Sequence, residues 1–271
     1  MTKRIFLFLF LLMSMSGKLV FAASPQIYAE AAVVMRADNR QVVFAKDPDK
    51  IMYPASTTKI MTLITALEKG DPGQMVVVSP QVAQCDGSSL ELKANDRLTL
   101  REAEYGMMLV SGNDAAEAIA ETVAGSIPAF VELMNDKAEK IGATRTHFSN
   151  PHGLPDPFNH FTTARDLALI TAYGLQNPDF ARIVATRDYA VRLQNRSALA
   201  VHNTNKLLAT YSGANGVKTG FTDAAGECLV AAAKRGNIQL VAVILNSDYR
   251  WSDAAKLLDY GFQQSGGLSG N

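Results

Sequence analysis

The order in which apolar patterns follow one another constrains the fold of this chain most. Runs with strand character lie at 31–34 and 41–45, helical periodicity fills most of 56–176, and strand character returns from residue 189. Strands from both ends of the chain, around helices from its middle, predict one antiparallel sheet flanked by helices. The predicted fold class is α/β of the α+β type, with a helical subdomain.

Three short motifs carry the chemistry, and they follow one another in a fixed order. Ser-x-x-Lys occupies 56–59, Ser-Gly-Asn occupies 111–113 and Lys-Thr-Gly occupies 218–220. Each motif alone is weak, because Ser-Gly-Asn recurs by accident at 269–271 and Ser-x-x-Lys is expected roughly once by chance in such a chain. Order and local context therefore carry the information.

The first motif lies at the start of a predicted helix that ends near Gly70. Positions i and i+3 share one helix face, so Lys59 lies beside Ser56. A serine hydroxyl becomes nucleophilic when a neighbour takes its proton, and a lysine can do this only as a neutral amine. Burial, the positive end of a helix and a second cation such as Lys218 all lower a lysine pKa. The ordinary alternative is a solvated lysine on an amphipathic helix.

The second motif separates two apolar helical segments. Ser111 and Asn113 can be held there in a cleft, the first to relay a proton and the second to hold a substrate amide. The same residue types also suit a plain helix cap, so the motif alone does not decide between the two.

The third motif lies on a predicted strand, and two more apolar strands follow at 226–234 and 238–245. Together they suggest an antiparallel meander. Side chains alternate along a strand, so Lys218 and Gly220 share one face, and if that face borders the cleft, Lys218 can reach an anionic substrate terminus. An edge strand at this position also offers backbone groups to an extended peptide.

On these motifs the chain resembles the low-molecular-mass penicillin-binding proteins that act as serine D-alanyl-D-alanine carboxypeptidases. The resemblance covers about 28–262 and includes the segments 150–154, 202–208 and 256–262. It implies a β-lactamase/transpeptidase-like fold and removal of the terminal D-Ala from peptidoglycan stem peptides. It also implies inhibition by β-lactam antibiotics. We expect no cofactor.

The resemblance implies a role for each catalytic residue. Ser56 is the acylated nucleophile and Lys59 its general base. Ser111 and Asn113 provide the proton shuttle and the amide contact. We expect His152 to support a loop beside the site.

A second set of residues is expected to bind substrate: Lys218, Thr219, Gly220, Phe221 and Arg250. By resemblance, Lys218, Thr219 and Arg250 hold the terminal carboxylate. The backbone N–H groups of Ser56 and Phe221 form the oxyanion hole.

The sequence leaves three alternative functions open. A D,D-endopeptidase would cut peptidoglycan crosslinks with the same residues. A class A-like β-lactamase needs a deacylating glutamate, for which Glu132 is the candidate, but it lies on a predicted helix over 127–141 where a carboxylate is solvated. A catalytically silent penicillin-sensing domain is disfavoured because Ser56 and Lys59 are intact.

The first residues have the pattern of a secretory signal peptide, with a basic start, an apolar run over 5–13 and small residues where cleavage occurs. We therefore expect a signal peptide at 1–22, one catalytic domain at 23–262 and a polar tail at 263–271. The protein would then be exported to the periplasm or the extracytoplasmic cell-wall space.

Charge and tail composition bear on the partners. The 26 basic and 26 acidic residues balance, which argues against a nucleic-acid partner. The polar tail lacks the apolar face that an amphipathic membrane anchor needs, so membrane association is left open.

Cysteines and histidines leave two further questions. Cys85 and Cys228 can form a disulfide in an exported protein, or they are two separate residues. His147, His152 and His160 crowd into one segment, yet no helical two-histidine spacing or cysteine cluster accompanies them. The sequence alone therefore disfavours a metal site.

Overall fold

The computed structural model describes residues 24–267 and confirms an antiparallel sheet flanked by helices. The predicted signal peptide and the last four residues of the predicted tail lie outside the described residues. The strands are β1 (Ala31–Arg36), β2 (Val42–Lys46), β3 (Met75–Val77), β4 (Arg97–Thr99), β5 (Asp188–Val191), β6 (Leu199–His202), β7 (Ala214–Thr222), β8 (Gly226–Arg235) and β9 (Ile238–Leu245).

The helices come mainly from the middle of the chain, as the sequence predicts. They are α1 (Lys59–Lys69), α2 (Leu100–Leu109), α3 (Asn113–Ala124), α4 (Ile127–Ile141), α5 (Ala164–Gly174), α6 (Pro178–Ala185), α7 (Leu207–Thr210) and α8 (Arg250–Gly267). None of the helices within 24–267 is long and apolar enough to cross a membrane.

The main sheet has five strands in the order β2-β1-β9-β8-β7, and every neighbouring pair is antiparallel. The predicted meander is β7-β8-β9, and β9 pairs with β1, so the two ends of the chain meet in one sheet. Strand β7 lies at the edge and carries the third motif. Two smaller pairs, β3-β4 and β5-β6, lie outside this sheet.

Alternating side chains of the central strands build two apolar layers. Val33 and Val243 face the larger cluster, which contains residues of the helices from the middle of the chain. Val34 and Ala242 face a second cluster, to which Leu257 of α8 also belongs. Each fully buried valine contributes about 1.5–3 kcal/mol to folding, so the sheet is held from both faces.

Helix α1 is the centre of the helical subdomain, because its first two turns are buried on all sides. Its C-cap is Gly70, where the sequence predicts the end of the helix. Helix α4 is continuous over the predicted range, with Ser126 as N-cap and Gly142 as left-handed C-cap. Glu132 is exposed on it, as expected.

The structure shows where the last helix ends and whether the two cysteines pair. Helix α8 continues to Gly267, so the first part of the predicted polar tail is helical. Cys85 and Cys228 are both free thiols, and Cys228 is buried while Cys85 is partly exposed. The structure therefore has two separate cysteines.

Candidate active site

The nucleophile candidate lies on a 3₁₀ turn that leads into α1. The hydroxyls of Thr57 and Thr58 donate to the carbonyls of Pro54 and Ala55 at 2.6 and 2.9 Å, which closes the turn. Ala55 has φ +46°, a left-handed conformation that costs a non-glycine residue of order 1–3 kcal/mol. The turn therefore holds Ser56 in a fixed position at the start of the helix.

Lys59 is fully buried, and its amine contacts three oxygen atoms. Nζ lies 3.0 Å from Ser56 Oγ, 2.6 Å from Asn113 Oδ1 and 2.9 Å from the carbonyl oxygen of His152. Burial, and after it the positive charge of Lys218, lowers the pKa of Lys59 well below its usual value. Both effects favour the neutral form of the amine.

A neutral amine has two hydrogens and one lone pair, which limits how Lys59 can share its three contacts. Asn113 Nδ2 donates to the Asp86 carbonyl at 2.7 Å, so Asn113 Oδ1 faces Lys59 as an acceptor. The His152 carbonyl can also only accept. Two hydrogens of a neutral amine are taken up by these two acceptors, which leaves its lone pair for the proton of the Ser56 hydroxyl.

The loop that carries the His152 carbonyl is itself held from several sides. Asn150 Oδ1 accepts the backbone N–H groups of His152 and Gly153, at 3.2 and 2.7 Å. The buried His152 ring has Nε2 3.2 Å from Glu117 Oε1. The structure places His152 in a loop beside the site, where its backbone, rather than its ring, contacts Lys59.

The second motif forms the break between α2 and α3. Ser111 has φ +65° and borders the same cavity of about 260 Å³ as Ser56. Within the described part of the chain, no hydrogen bond joins the Ser111 hydroxyl to Lys59. A Cβ at Gly112 would lie 2.8 Å from Asp114 Oδ1 and 3.1 Å from the backbone of Leu90, so the close packing favours glycine there.

Strand β7 passes directly beside the nucleophile. A Cβ at Gly220 would lie 3.1 Å from the backbone nitrogen of Ser56, so only a very small residue allows this approach. Thr219 shares a hydrogen bond of 2.7 Å with Thr204. The side chain of Phe221 is 59% exposed at the rim.

Lys218 lies under the cleft, and its side chain does not border the cavity. It is 1% exposed, and its amine donates to the carbonyl of Thr219 at 3.0 Å. Burial, with Arg250 nearby, lowers the pKa of Lys218 to about 7. The face that Lys218 shares with Gly220 is covered at Gly220 by the turn that carries Ser56.

Arg250 begins α8 and borders the cavity. Its Nη1 donates to the carbonyls of Gly220 and Cys228 at 2.9 and 3.2 Å, and Nε lies 3.2 Å from a carboxylate oxygen of Glu227. Its guanidinium also stacks over Trp251 at 5.0 Å. Arg250 thus joins α8 to the two strands beside the cleft.

Comparison with known proteins shows the family. The sequence profile of peptidase family S11, described as D-alanyl-D-alanine carboxypeptidase, matches residues 18–249. The chain belongs to this family. The matched range contains all three motifs.

Individual S11 relatives and a solved structure agree with this assignment. The D-alanyl-D-alanine carboxypeptidase DacF of Bacillus subtilis is 34% identical over 87% of this chain and 62% of its own length. A D-alanyl-D-alanine carboxypeptidase of Mycobacterium tuberculosis is 36% identical over 86% of this chain and 82% of its own. The crystal structure of the Streptomyces K15 DD-transpeptidase has a TM-score of 0.84 at 32% identity, covering 89% of this chain and 100% of that one.

This S11 chain brings five further residues to the cleft that the motifs did not predict: Ser88, Val110, Thr204, Lys206 and Trp251. Thr204 and Lys206 belong to the segment 202–208, which is part of the resemblance to penicillin-binding proteins. These two residues could therefore have been predicted from the sequence. The loop with Ser88 carries no motif.

Proposed function

We propose that the chain is an exported serine D-alanyl-D-alanine carboxypeptidase that removes the terminal D-Ala from peptidoglycan stem pentapeptides. The observation that carries this proposal is the Ser56 hydroxyl 3.0 Å from the buried amine of Lys59. A desolvated lysine beside a serine is the arrangement that activates a hydroxyl for acyl transfer. β-Lactams react at the same serine because their amide takes the place of the peptide bond.

Acylation follows from the contacts of Lys59. Ser56 Oγ bonds to the carbonyl carbon of the penultimate D-Ala while its proton passes to Lys59 Nζ. The C–N bond to the terminal D-Ala then breaks, and the proton on Lys59 passes to the leaving amine; Ser111, which borders the same cavity without contacting Lys59 here, is the predicted shuttle. Water next attacks the ester carbon and regenerates Ser56, with Lys59 as base for the water proton.

The developing oxyanion needs donors beside Ser56. We assign this role to the backbone N–H groups of Ser56 and Phe221, which belong to the turn and to the strand that passes beside it. A donor in such a position is worth about 3–4 kcal/mol in the transition state. The close approach at Gly220 supports the assignment, because it brings the two backbones together.

The terminal carboxylate lies beside Thr219 and Arg250 in this proposal. Nη1 of Arg250 is used by two carbonyl groups, which leaves Nη2 for the substrate. Lys218 adds its positive charge from below the cleft. Asn113 is buried and does not border the cavity; its Oδ1 holds Lys59, and its contact with the peptide amide stays a prediction.

Rapid hydrolysis of the penicilloyl ester is not expected. Glu132, the candidate for a deacylating base, is exposed on α4, whereas Ser56 lies at the start of α1. We therefore expect β-lactams to remain on Ser56 as inhibitors, which distinguishes the chain from a class A-like β-lactamase.

The test compares diacetyl-Lys-D-Ala-D-Ala with the same peptide amidated at its C-terminus. Loss of a contact worth about 1.4 kcal/mol lowers turnover about tenfold, so the amide should react at least that much more slowly. In Arg250→Ala the preference should shrink, while small esters still react. Equal turnover of the two peptides would replace the carboxypeptidase with the D,D-endopeptidase alternative.

A further inference from the structure

A second cluster of reactive side chains lies on the far side of the loop that contacts Lys59. Cys85, Glu117 and His152 each place one ligand atom so that all three atoms lie within 4.8 Å of one another. They come from three separate segments: the end of a 3₁₀ turn, the middle of α3 and the loop after α4. This is why the sequence shows no metal-binding pattern.

These donor atoms form a set that suits one metal ion in particular. Sulfur, imidazole nitrogen and carboxylate oxygen are the ligands of Zn²⁺, and three protein ligands with one open position are common in zinc sites. A thiolate and a carboxylate together also balance the two positive charges of the ion.

Access to the cluster is open on one side. His152 is buried, whereas Cys85 and Glu117 are partly exposed and border a cavity of about 530 Å³. An ion can enter through this cavity, and water can complete the coordination.

We propose that Cys85, Glu117 and His152 bind one Zn²⁺ ion beside the active site. The proposal concerns binding and does not depend on the reaction assigned to Ser56. The ion takes no part in that reaction.

The free protein keeps the cluster together with hydrogen bonds that the ion replaces. Nδ1 of His152 accepts the Leu154 N–H at 3.2 Å, so the ring proton is on Nε2, facing Glu117. The Glu117 carboxylate also lies beside the sulfur of Cys85, whose thiol donates to the Asp86 carbonyl at 3.8 Å, and burial raises the pKa of this thiol to about 12.

Zinc binding therefore moves two protons. The thiol proton of Cys85 leaves to solvent when the Zn–S bond forms, as expected for a coordinated thiol. The ring proton of His152 moves from Nε2 to Nδ1, and the long contact from Leu154 is released.

The cluster is connected to the base through two backbone carbonyls. The carbonyl of His152 accepts from Lys59 at 2.9 Å. Asp86, next to Cys85, accepts from Asn113 at 2.7 Å through its carbonyl. If the proposed reaction at Ser56 is correct, zinc binding should change the rate of acylation, because it alters the positions of both carbonyls.

Metal-free mature protein titrated with Zn²⁺ in equilibrium dialysis should bind one ion. With Co²⁺ as the probe, a near-ultraviolet thiolate-to-cobalt absorption band should appear. Cys85→Ser and Glu117→Gln should each weaken binding at least about tenfold, and Cys85→Ser should abolish the band. Cys228→Ser is the matched control, because this second free thiol lies outside the cluster and should leave both readouts unchanged.

Absence of a stoichiometric site, or a cobalt band that survives Cys85→Ser, would overturn the zinc site. Acylation of Ser56 by benzylpenicillin, measured with and without Zn²⁺, tests the connection separately. If one Zn²⁺ ion binds and the acylation rate does not change, the zinc site is supported and its effect on Lys59 is overturned. Binding in a protein that is never acylated overturns the proposed function and leaves the site standing.

Discussion

Lys59 is the residue on which the proposed reaction depends, because its amine contacts the nucleophile and burial lowers its pKa. Lys59→Arg places a guanidinium there, and a guanidinium does not give up its proton. We expect this variant to fold and to be acylated by benzylpenicillin at least about a hundredfold more slowly, the scale of a lost general base. Stopped-flow measurement of acylation, with intact-mass analysis of the label on Ser56, checks this.

The control for this prediction is Ser56→Ala, which should carry no penicilloyl group at all. Near-normal acylation of Lys59→Arg would exclude Lys59 as the base. Label on another residue in Ser56→Ala would exclude the nucleophile.

The two buried lysines predict how the reaction depends on pH. Lys59 must be neutral, so kcat/KM falls when acid protonates it. Lys218 helps as a cation, and its pKa of about 7 means that its charge is lost as pH rises through that value in the free enzyme. For a peptide with a free carboxylate, kcat/KM should therefore decline above about pH 7, since it reports free-enzyme ionisations.

Lys218→Arg should move the alkaline decline to higher pH, because arginine keeps its charge. With the unmodified enzyme, kcat/KM for an amidated peptide should decline less above pH 7 than kcat/KM for a peptide with a free carboxylate. A decline near pH 7 that persists in Lys218→Arg would show that another group causes it.

Among elements, the turn before α1 and the loop at 150–154 are in direct contact. Gly153 has φ +99°, and a Cβ there would lie 1.9 Å from the carbonyl oxygen of Ala55. Gly153→Ala must therefore push the loop away from the turn and move the carbonyl that holds Lys59. We expect acylation to slow at least about tenfold, measured with a fluorescent penicillin.

Gly142→Ala is the matched control. Gly142 has φ +93°, but nothing lies within 4 Å of a Cβ there. Both variants carry the left-handed backbone cost of about 1–2 kcal/mol, and only Gly153→Ala adds the clash. If the two variants acylate equally, the contact between loop and turn does not position the base.

The elements could be predicted from the sequence to different degrees. Helix α4 was predictable because its ends carry strong signals, and the position of β7 followed from alternation. The carbonyls of Asp86 and His152 were not predictable as partners of the site, because every residue has a carbonyl and no side chain marks it. Lys218 was predicted to share a face with Gly220, but the sequence could not show that the turn before α1 covers that face at Gly220.

For the whole molecule, the sheet decides how the site is assembled. Strand β9 pairs with both β1 and β8, so the segments before and after the helical subdomain are held in one sheet. The first motif then lies on the helical side of the cleft and the third on the edge strand. The motifs are 162 positions apart in sequence between Ser56 and Lys218, and the sheet brings them together.

The stability of the whole chain should depend on pH through Glu104, a buried carboxyl on α2. It is 1% exposed, and burial raises its pKa to about 7 despite the nearby charge of Arg101. The folded state thus favours the protonated form more than the unfolded state does. The contribution of Glu104 to the free energy of unfolding should therefore fall as pH rises from the unfolded pKa, about 4.5, to about 7, and this contribution levels off above pH 7.

Glu104→Gln removes this ionisation. The raised pKa of Glu104 corresponds to about 3 kcal/mol of lost stability above pH 7, at 1.36 kcal/mol per pKa unit. Glu104→Gln recovers this stability in part, because it also loses the charge contact with Arg101. We expect the free energy of unfolding, measured with urea at pH 8, to be about 1–3 kcal/mol higher in Glu104→Gln than in the parent chain. At pH 4.5 the two proteins should differ little. Glu132→Gln, at an exposed position, should change neither value. If the free energy of unfolding of Glu104→Gln falls between pH 4.5 and pH 8 as much as that of the parent chain, another group causes the pH dependence.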